Sequence, residues 1–296
     1  DIKLMSQKGV FATSNNPIAA GTIVNGVVTP TLTGKSLIIT GGKDSVGTKA
    51  SMITTDLSGT IDANSSQGVY IYQVGTHDLT LQNVAGKEMY LAAKNNILMT
   101  TEEGKDMGYL NSANSINLQS DNGSLGTSEH GLRILNNDAA INATASKDIY
   151  LDGKGNGNMV LGTISASKVL TVNSEGNIQI GRNEVKSGDT VTKPEIVGNV
   201  QFGEDSSLTA TKKININGSI HTDADKALTL TSKESSIEST DKGIIQVKTL
   251  NTNSKNAVVL ENQDNTFDVL NVAGYNNKAI EGNVLVKTNS NALVVD

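Results

Sequence analysis

Three histidines are the side chains best suited to metal or acid–base chemistry in this 296-residue chain, and they are widely spaced. A metal or catalytic centre would require His77, His130 and His221 to converge, because ligands and proton carriers must lie within bonding distance of their partners. Carboxylates accompany His77 and His221 only locally. We therefore interpret the histidines as solvated surface residues and expect neither a metal nor another cofactor.

Two carboxylates and an arginine could carry out a different chemistry. Asp148 and Asp152 flank a short apolar segment, and Arg133 lies roughly one repeat earlier. Polysaccharide lyases and hydrolases use carboxylates and a basic residue for proton transfer at a glycosidic bond. Aromatic residues, which stack against sugar substrates, make up only 3% of the chain. The pattern therefore favours a protein that is not an enzyme, and a carbohydrate-active enzyme remains the alternative.

Residues 152–158, with the sequence DGKGNGN, alternate Asp or Asn with Gly in the manner of a calcium loop. Lys154 stands where an oxygen ligand is needed, and no bidentate Glu follows at the proper spacing. The segment therefore predicts a glycine-rich turn rather than a calcium site.

Four asparagines occupy Asn-x-Ser/Thr sequons, the acceptor motif for N-glycosylation. They are Asn64, Asn122, Asn142 and Asn217. Chance alone supplies such triplets in a chain rich in Asn and Thr, so the sequence leaves their modification open.

Four tyrosines carry the strongest indication of binding. Tyr70, Tyr72, Tyr90 and Tyr150 each follow an apolar residue by one position. Successive side chains of a strand point to opposite faces, so we expect these rings to point outward while their apolar neighbours point inward. Exposed rings can stack on sugars or anchor a protein partner. These four tyrosines are the candidate binding residues for a surface glycan or a protein receptor.

Short apolar segments that recur about every twenty residues must position these side chains. Each segment alternates apolar and polar residues, as in Leu170–Val172 and Leu228–Leu230, which is the period of a strand with one buried face. No triplet of this length is stable alone, so the segments must stack. The repeat predicts an all-β fold, a right-handed parallel β-helix (β-solenoid) of roughly 12 to 15 coils with projecting loops and almost no helix.

The repeat is not equally regular along the chain. Residues 1–57 predict less regular coils, in which the segment 10–34 holds an Asn-Gly hairpin that stands off the coil. Residues 58–296 predict the regular shaft, interrupted by polar insertions at 101–114 and 181–198 that should leave the coil as surface loops. The side chains predicted to point into the coil include Ile178, Ile180, Ile214, Ile216, Leu228, Leu230, Ile245 and Val247.

Composition excludes several classes of protein. Cys is absent, which excludes disulfides, thiolate metal sites and a cysteine nucleophile. The net charge is −6 and the only arginines are Arg133 and Arg182, which argues against a nucleic-acid partner. No apolar run approaches the roughly 20 residues that span a bilayer, so we expect no membrane insertion of this segment.

The C-terminal repeats resemble those of large bacterial exoproteins of the filamentous haemagglutinin type. The resemblance rests on NAVVLENQDNTFDVLNVAG at 256–274, followed by GNVLV at 282–286 and NALVV at 291–295. The segment LTVNSEGNIQIG at 170–181 is similar to the shaft repeats of the same family. The likeness covers most of residues 79–296.

This resemblance implies a secreted or surface-held β-helix of a Gram-negative-type bacterium, exported through an outer-membrane transporter by a two-partner or autotransporter route. The chain begins at Asp1 without the profile of a signal peptide, so we expect it to be a piece of a larger exoprotein. The leading expectation is an adhesin segment, a rigid shaft that attaches to a receptor on host or neighbouring cells. The alternatives are a polysaccharide lyase, a tailspike-like depolymerase and the passive stalk of a contact-dependent toxin.

Overall fold

The computed structural model describes residues 1–10, 23–24, 27–28, 30, 32–101, 108–188, 190–223, 225–290 and 293–295. The chain is all-β, and its parallel strands stack in successive coils to form a β-solenoid of about 12 turns. The fold predicted from the apolar repeat is therefore confirmed. Among the described residues, the only helical element is one turn of 3-10 helix at Tyr275–Asn277.

The strands are short, as the triplet repeat predicts. The first twelve are β1 (Ile2–Met5), β2 (Ile23–Val24), β3 (Val27–Val28), β4 (Leu32–Gly34), β5 (Leu37–Thr40), β6 (Ile53–Leu57), β7 (Thr60–Asn64), β8 (Gly68–Gln73), β9 (Leu79–Ala93), β10 (Ile97–Met99), β11 (Leu110–Ser120) and β12 (Leu132–Leu135). They continue with β13 (Ala140–Ala145), β14 (Ile149–Lys154), β15 (Asn158–Ala166), β16 (Leu170–Ser174), β17 (Asn177–Ile180), β18 (Val185–Ser187), β19 (Thr190–Lys193), β20 (Asn199–Phe202), β21 (Ser206–Ala210) and β22 (Ile214–Ile216). The last nine are β23 (Ser219–His221), β24 (Ala227–Ser232), β25 (Ile237–Ser239), β26 (Ile244–Gln246), β27 (Thr249–Ser254), β28 (Val258–Leu260), β29 (Val269–Gly274), β30 (Val284–Val286) and β31 (Val294–Val295).

The chain divides into two compact units. Unit 1 comprises 1–135 and 143–151, and unit 2 comprises 136–142 and 152–296. In unit 1 the parallel strands β8, β9 and β11 align in register, so that Val69 lies beside Met89 and Met89 beside Ile116. All three side chains are fully buried. The core of unit 1 is therefore built from columns of apolar side chains, one from each turn.

Unit 2 follows the same rule. Ile178 aligns with Ile214, and Ile214 aligns with Ile237. Because paired strands lie about 4.8 Å apart, each buried side chain contacts its equivalents on the turns above and below. All eight side chains predicted to point into the coil are buried, while Gln179 and Asn215 between them are partly exposed. The predicted interior face is therefore confirmed.

Polar side chains form ladders along the same stacking direction in unit 2. Asn177 Nδ2 donates to Asn158 Oδ1 at 2.8 Å, and Asn158 Nδ2 donates to Asp138 Oδ1 at 2.6 Å. Asn271 Nδ2 donates to Asn251 Oδ1 at 2.7 Å, across a sequence separation of 20 residues. These ladders satisfy amide N–H groups between neighbouring turns, where each turn repeats a polar residue at the same position.

The predicted loop at 101–114 is wrong in its last part, because β11 begins at Leu110 and pairs with β9. Ser112 occupies an interior position and is fully buried. Its Oγ donates to the carbonyl oxygens of Lys87 and Ser115, each at 2.9 Å. These bonds satisfy the buried hydroxyl, so serine can replace an apolar residue there, and the apolar pattern disappears from the sequence. Most of the remaining segment lies outside the described residues.

The predicted outgrowth at 181–198 is confirmed. Strands β18 and β19 pair with each other in antiparallel orientation and form a two-stranded sheet of their own. Lys193 Nζ donates to Asp138 Oδ2 at 2.5 Å, and Arg182 Nη1 donates to the Asp138 carbonyl at 3.0 Å. Two charged side chains therefore anchor the hairpin to the coil.

An antiparallel pair also occurs within the segment 10–34. Strands β2 and β3 pair in antiparallel orientation, as expected for the predicted hairpin. The Asn25-Gly26 turn itself lies outside the described residues.

Candidate functional site

Three of the four candidate tyrosines meet on an outer face of unit 1. Tyr70 and Tyr72 lie on β8, Tyr90 lies on β9, and Tyr70 and Tyr90 are partners in the strand register. Their apolar neighbours on both strands fill the core, so strand alternation places the rings on the opposite side. Tyr70 packs with Met52 and Ala92, and Tyr72 and Tyr90 pack against this group. We refer to these five residues as the tyrosine patch.

Tyr70 itself is not exposed, which corrects the expectation from the sequence. Only 8% of its surface is accessible, because the other patch residues cover its ring. The ring also lies over Gly68, where a Cβ atom would approach Tyr70 Cε2 to 2.4 Å. Tyr72 and Tyr90 are partly exposed. Tyr70 therefore forms the floor of the patch, and the other two rings form its accessible surface.

Hydrogen bonds fix the two accessible rings. The Tyr72 hydroxyl donates to Asp121 Oδ2 at 2.8 Å, and the Tyr90 hydroxyl donates to Gln119 Oε1 at 2.9 Å. Gln119 Nε2 in turn donates to Asp121 Oδ1 at 2.8 Å. This chain of bonds connects both rings through one amide and one carboxylate. Rings held in this way lose little conformational entropy when a partner binds.

The Tyr70 and Tyr72 hydroxyls are neutral donors. Burial, together with the hydrogen bond to the Glu88 carboxylate, raises the pKa of Tyr70 to about 12. Burial and the hydrogen bond to Asp121 likewise raise the pKa of Tyr72 to about 12. Both hydroxyls therefore keep their protons at neutral pH and remain committed to carboxylate acceptors. This arrangement suits a fixed contact surface better than proton transfer.

Tyr150 does not belong to this patch. Its neighbour Ile149 aligns with Leu125, and Leu125 aligns with Ile97, on a different strand face of unit 1. Burial and the nearby Asp148 carboxylate raise the pKa of Tyr150, and its side chain is partly exposed. The structure therefore brings three of the four predicted residues together and places the fourth elsewhere.

The acceptors of the patch were not found by sequence reasoning. Asp121 lies 49 residues after Tyr72, and Gln119 lies 29 residues after Tyr90. Neither separation matches one repeat, because the segment that precedes β11 lengthens this part of the chain. Glu88, which accepts a hydrogen bond from Tyr70, lies 18 residues after it, close to one repeat. This spacing was the only sequence signal that could have identified one of the three acceptors.

His77 and Arg133 have separate hydrogen-bond partners in the described part of the chain. His77 Nδ1 lies 2.9 Å from Asp56 Oδ1 at an exposed position. No group of three or more His, Asp or Glu side chains there could hold a metal ion. Arg133 is buried and donates to the carbonyl oxygens of Gly108 and Thr100, each at 3.0 Å. Its guanidinium therefore holds the backbone and is not available as the surface base that the lyase alternative requires.

The calcium-like segment 152–158 forms the predicted glycine-rich turn. Strand β14 ends at Lys154, and Gly155 follows with a left-handed φ of 86°. Lys154 Nζ lies 3.2 Å from Glu175 Oε1. The hydrogen bond from the Gly155 N–H and the Lys154 contact lower the pKa of Glu175. The lysine thus provides the positive charge beside this carboxylate.

No family model, no curated protein and no solved structure matches this chain. The part of the chain that the structure describes contains no helix long and apolar enough to cross a membrane. The candidate site is therefore defined by its own geometry.

Proposed function

We propose that this chain is a non-enzymatic segment of a bacterial surface adhesin, which presents the tyrosine patch to a glycan or protein receptor on host or neighbouring cells. The observation that carries the proposal is the rigid pair of accessible rings, Tyr72 and Tyr90, joined through Gln119 and Asp121. Aromatic rings with fixed polar tips supply large contact areas at low entropic cost. Such rings are enriched where proteins contact sugars and other proteins.

The β-solenoid supports this role physically. Each turn packs only on its neighbours, so the interior maintains the fold while outward side chains are free to vary. Register then places equivalent outward positions of successive turns side by side, as with Tyr70 and Tyr90. The resemblance of the repeats to filamentous haemagglutinin-type exoproteins supports a location at the cell surface or outside the cell, with export through an outer-membrane transporter.

A glycan array and a cell-binding assay with the purified chain test the proposal. We expect binding by the parent, and loss of most of it in the double variant Tyr72→Ala with Tyr90→Ala. Tyr109→Ala is the matched control, because Tyr109 is an exposed tyrosine of unit 1 outside the patch. Circular dichroism and thermal unfolding establish that all variants are folded.

Each other outcome contradicts part of the proposal. Full binding by the double variant would show that the tyrosine patch does not contact the receptor. A parent chain that binds neither glycans nor cells would favour a passive spacer. Release of saccharide from the arrayed glycans by the parent would favour a carbohydrate-active enzyme.

A further inference from the structure

Unit 2 carries a polar cavity of about 360 Å³ on its outer surface. This volume falls within the range of small-ligand sites, roughly 300 to 1,000 Å³. Its chemistry is set by three lysines, two glutamates and one tyrosine, namely Lys233, Lys255, Lys278, Glu234, Glu281 and Tyr275. The residues of this cavity are distinct from those of the tyrosine patch.

Strand register builds one wall of the cavity. Ser232, Ser254 and Gly274 align as the last residues of β24, β27 and β29. The residues that follow them, Lys233, Lys255 and Tyr275, therefore occupy the same corner on three consecutive turns. Neighbouring backbones at this corner lie about 4.8 Å apart. The side chains of these three residues therefore form a column of two ammonium groups and one aromatic ring.

The chain after Tyr275 folds back to form the opposite wall. Asn276 and Asn277 both adopt the left-handed conformation, with φ of 57° and 58°. The Glu281 N–H then donates to the Lys255 carbonyl at 3.0 Å. Gly274 permits this close return, because a Cβ atom there would lie 1.7 Å from the Lys278 carbonyl oxygen. Lys278 and Glu281 are thereby held at the cavity.

Three lysines and two glutamates line the cavity, but the lysines are not paired with these glutamates. Among the residues that the structure describes, Lys233, Lys255 and Lys278 form no salt bridge, whereas Lys213 and Lys226 of the same unit each pair with a glutamate at 2.5 and 2.7 Å. Like charges stacked on adjacent turns repel each other. An anion in the cavity would relieve this repulsion.

We propose that this cavity binds a sugar acid, with its carboxylate between Lys233 and Lys255 and its ring against Tyr275. The glutamates distinguish this ligand from a phosphate or sulfate. Glu234 and Glu281 can accept hydrogen bonds from several sugar hydroxyls, but they repel a compact anion that offers few donors or none. The proposal goes beyond the adhesin function, because it uses no residue of the tyrosine patch and stands or falls separately.

Isothermal titration calorimetry with trigalacturonate, triglucuronate and sialyllactose tests this site. We expect at least one to bind, and its carboxyl methyl ester to bind on the order of tenfold more weakly, since one charge is removed from each acidic sugar. Lys233→Gln and Lys255→Gln should each weaken binding about threefold, because water screens exposed ion pairs, and the double variant about tenfold. Tyr275→Ala should weaken it further. Lys147→Gln, an exposed lysine of unit 1, should leave it unchanged.

Three results with the sugar acids would overturn the proposal. They are no binding of any of the three sugar acids, equal binding of acid and ester, and unchanged binding in the double lysine variant. Inorganic phosphate and sulfate are titrated in parallel, and tighter binding of either would assign the cavity to simple anions instead. The substituted side chains are all surface groups, so circular dichroism should show intact folding throughout.

Discussion

Replacing Ile214 by alanine tests whether stacked apolar columns hold unit 2 together. Ile214 is fully buried, with Ile178 and Ile237 as its in-register neighbours. An Ile→Ala change in a packed core costs about 2–5 kcal/mol, through lost burial and the cavity left behind. Paired strands on both sides hold the neighbouring turns in place, so the cavity cannot collapse easily. We therefore expect a cost in the upper half of this range, about 3–5 kcal/mol.

Asn215→Ala is the matched control, one position along the same strand. Asn215 is partly exposed and lies on the outer face of β22. Surface substitutions of this kind usually change stability by no more than about 0.5 kcal/mol. The two variants share the strand and the product residue, so they differ mainly in the face of the strand that is truncated.

Urea unfolding and native-state hydrogen exchange provide the measurements. The unfolding midpoint should fall for Ile214→Ala and stay nearly constant for Asn215→Ala. Because solenoid turns interact only with their neighbours, lost exchange protection should concentrate in β17, β22 and β25. Equal losses at both positions would show that the interior face is wrongly assigned. Uniform loss of protection throughout unit 2 would refute nearest-neighbour stacking.

Three further predictions concern charged and titrating groups. Tyr70 and Tyr72 have pKa values of about 12 in the fold against about 10 when unfolded. Their stabilising effect is therefore complete below pH about 10 and is lost as the pH rises towards 12. Tyrosinate absorbance should show this late titration, and ionisation of all tyrosines near pH 10 would contradict it. Burial raises the pKa of Asp138, but the hydrogen bonds from Lys193 and Asn158 outweigh burial, and the net pKa is lowered. The stabilising effect of the Asp138 carboxylate is therefore present at neutral pH and lost on acidification. Lys193→Met should raise the pKa of Asp138, measured by NMR, and speed proteolysis of the hairpin. Arg133→Met should destabilise unit 1 by about 1–3 kcal/mol in urea unfolding, because two buried carbonyl oxygens lose their donors. An unchanged unfolding midpoint would show that these hydrogen bonds contribute nothing to stability.

The buried positions of the solenoid could be predicted from the sequence because the pattern that marks them is local. A triplet such as Ile214–Ile216 places two apolar residues around one polar residue, and strand alternation turns this spacing directly into burial. The signal fails where an interior position is polar. Ser112 is as buried as any isoleucine, but its hydroxyl is satisfied by backbone carbonyls, so nothing apolar marks the position.

The tyrosine patch was only half predictable, for a different reason. Alternation along β8 correctly gives the side of the strand on which Tyr70 and Tyr72 lie. It does not say what lies above them, and Met52 and Ala92 come from neighbouring turns that cover Tyr70. Which residues become neighbours depends on the length of each turn, and an insertion changes the sequence separation of every pair of residues that flank it. Asp121 could therefore not be matched with Tyr72 from spacing alone.

The same dependence on register explains how one fold can carry the two binding surfaces that we propose. In each unit, an outward column draws one residue from each turn, so Tyr70 with Tyr90 and Lys233 with Lys255 arise from the same geometrical rule. The interior columns provide most of the apolar burial, and partly exposed positions contribute little to stability. Substitutions at the accessible positions of outward columns should therefore change binding while leaving unfolding almost unchanged. Interior substitutions should do the reverse, impairing binding only by unfolding the turn that carries it.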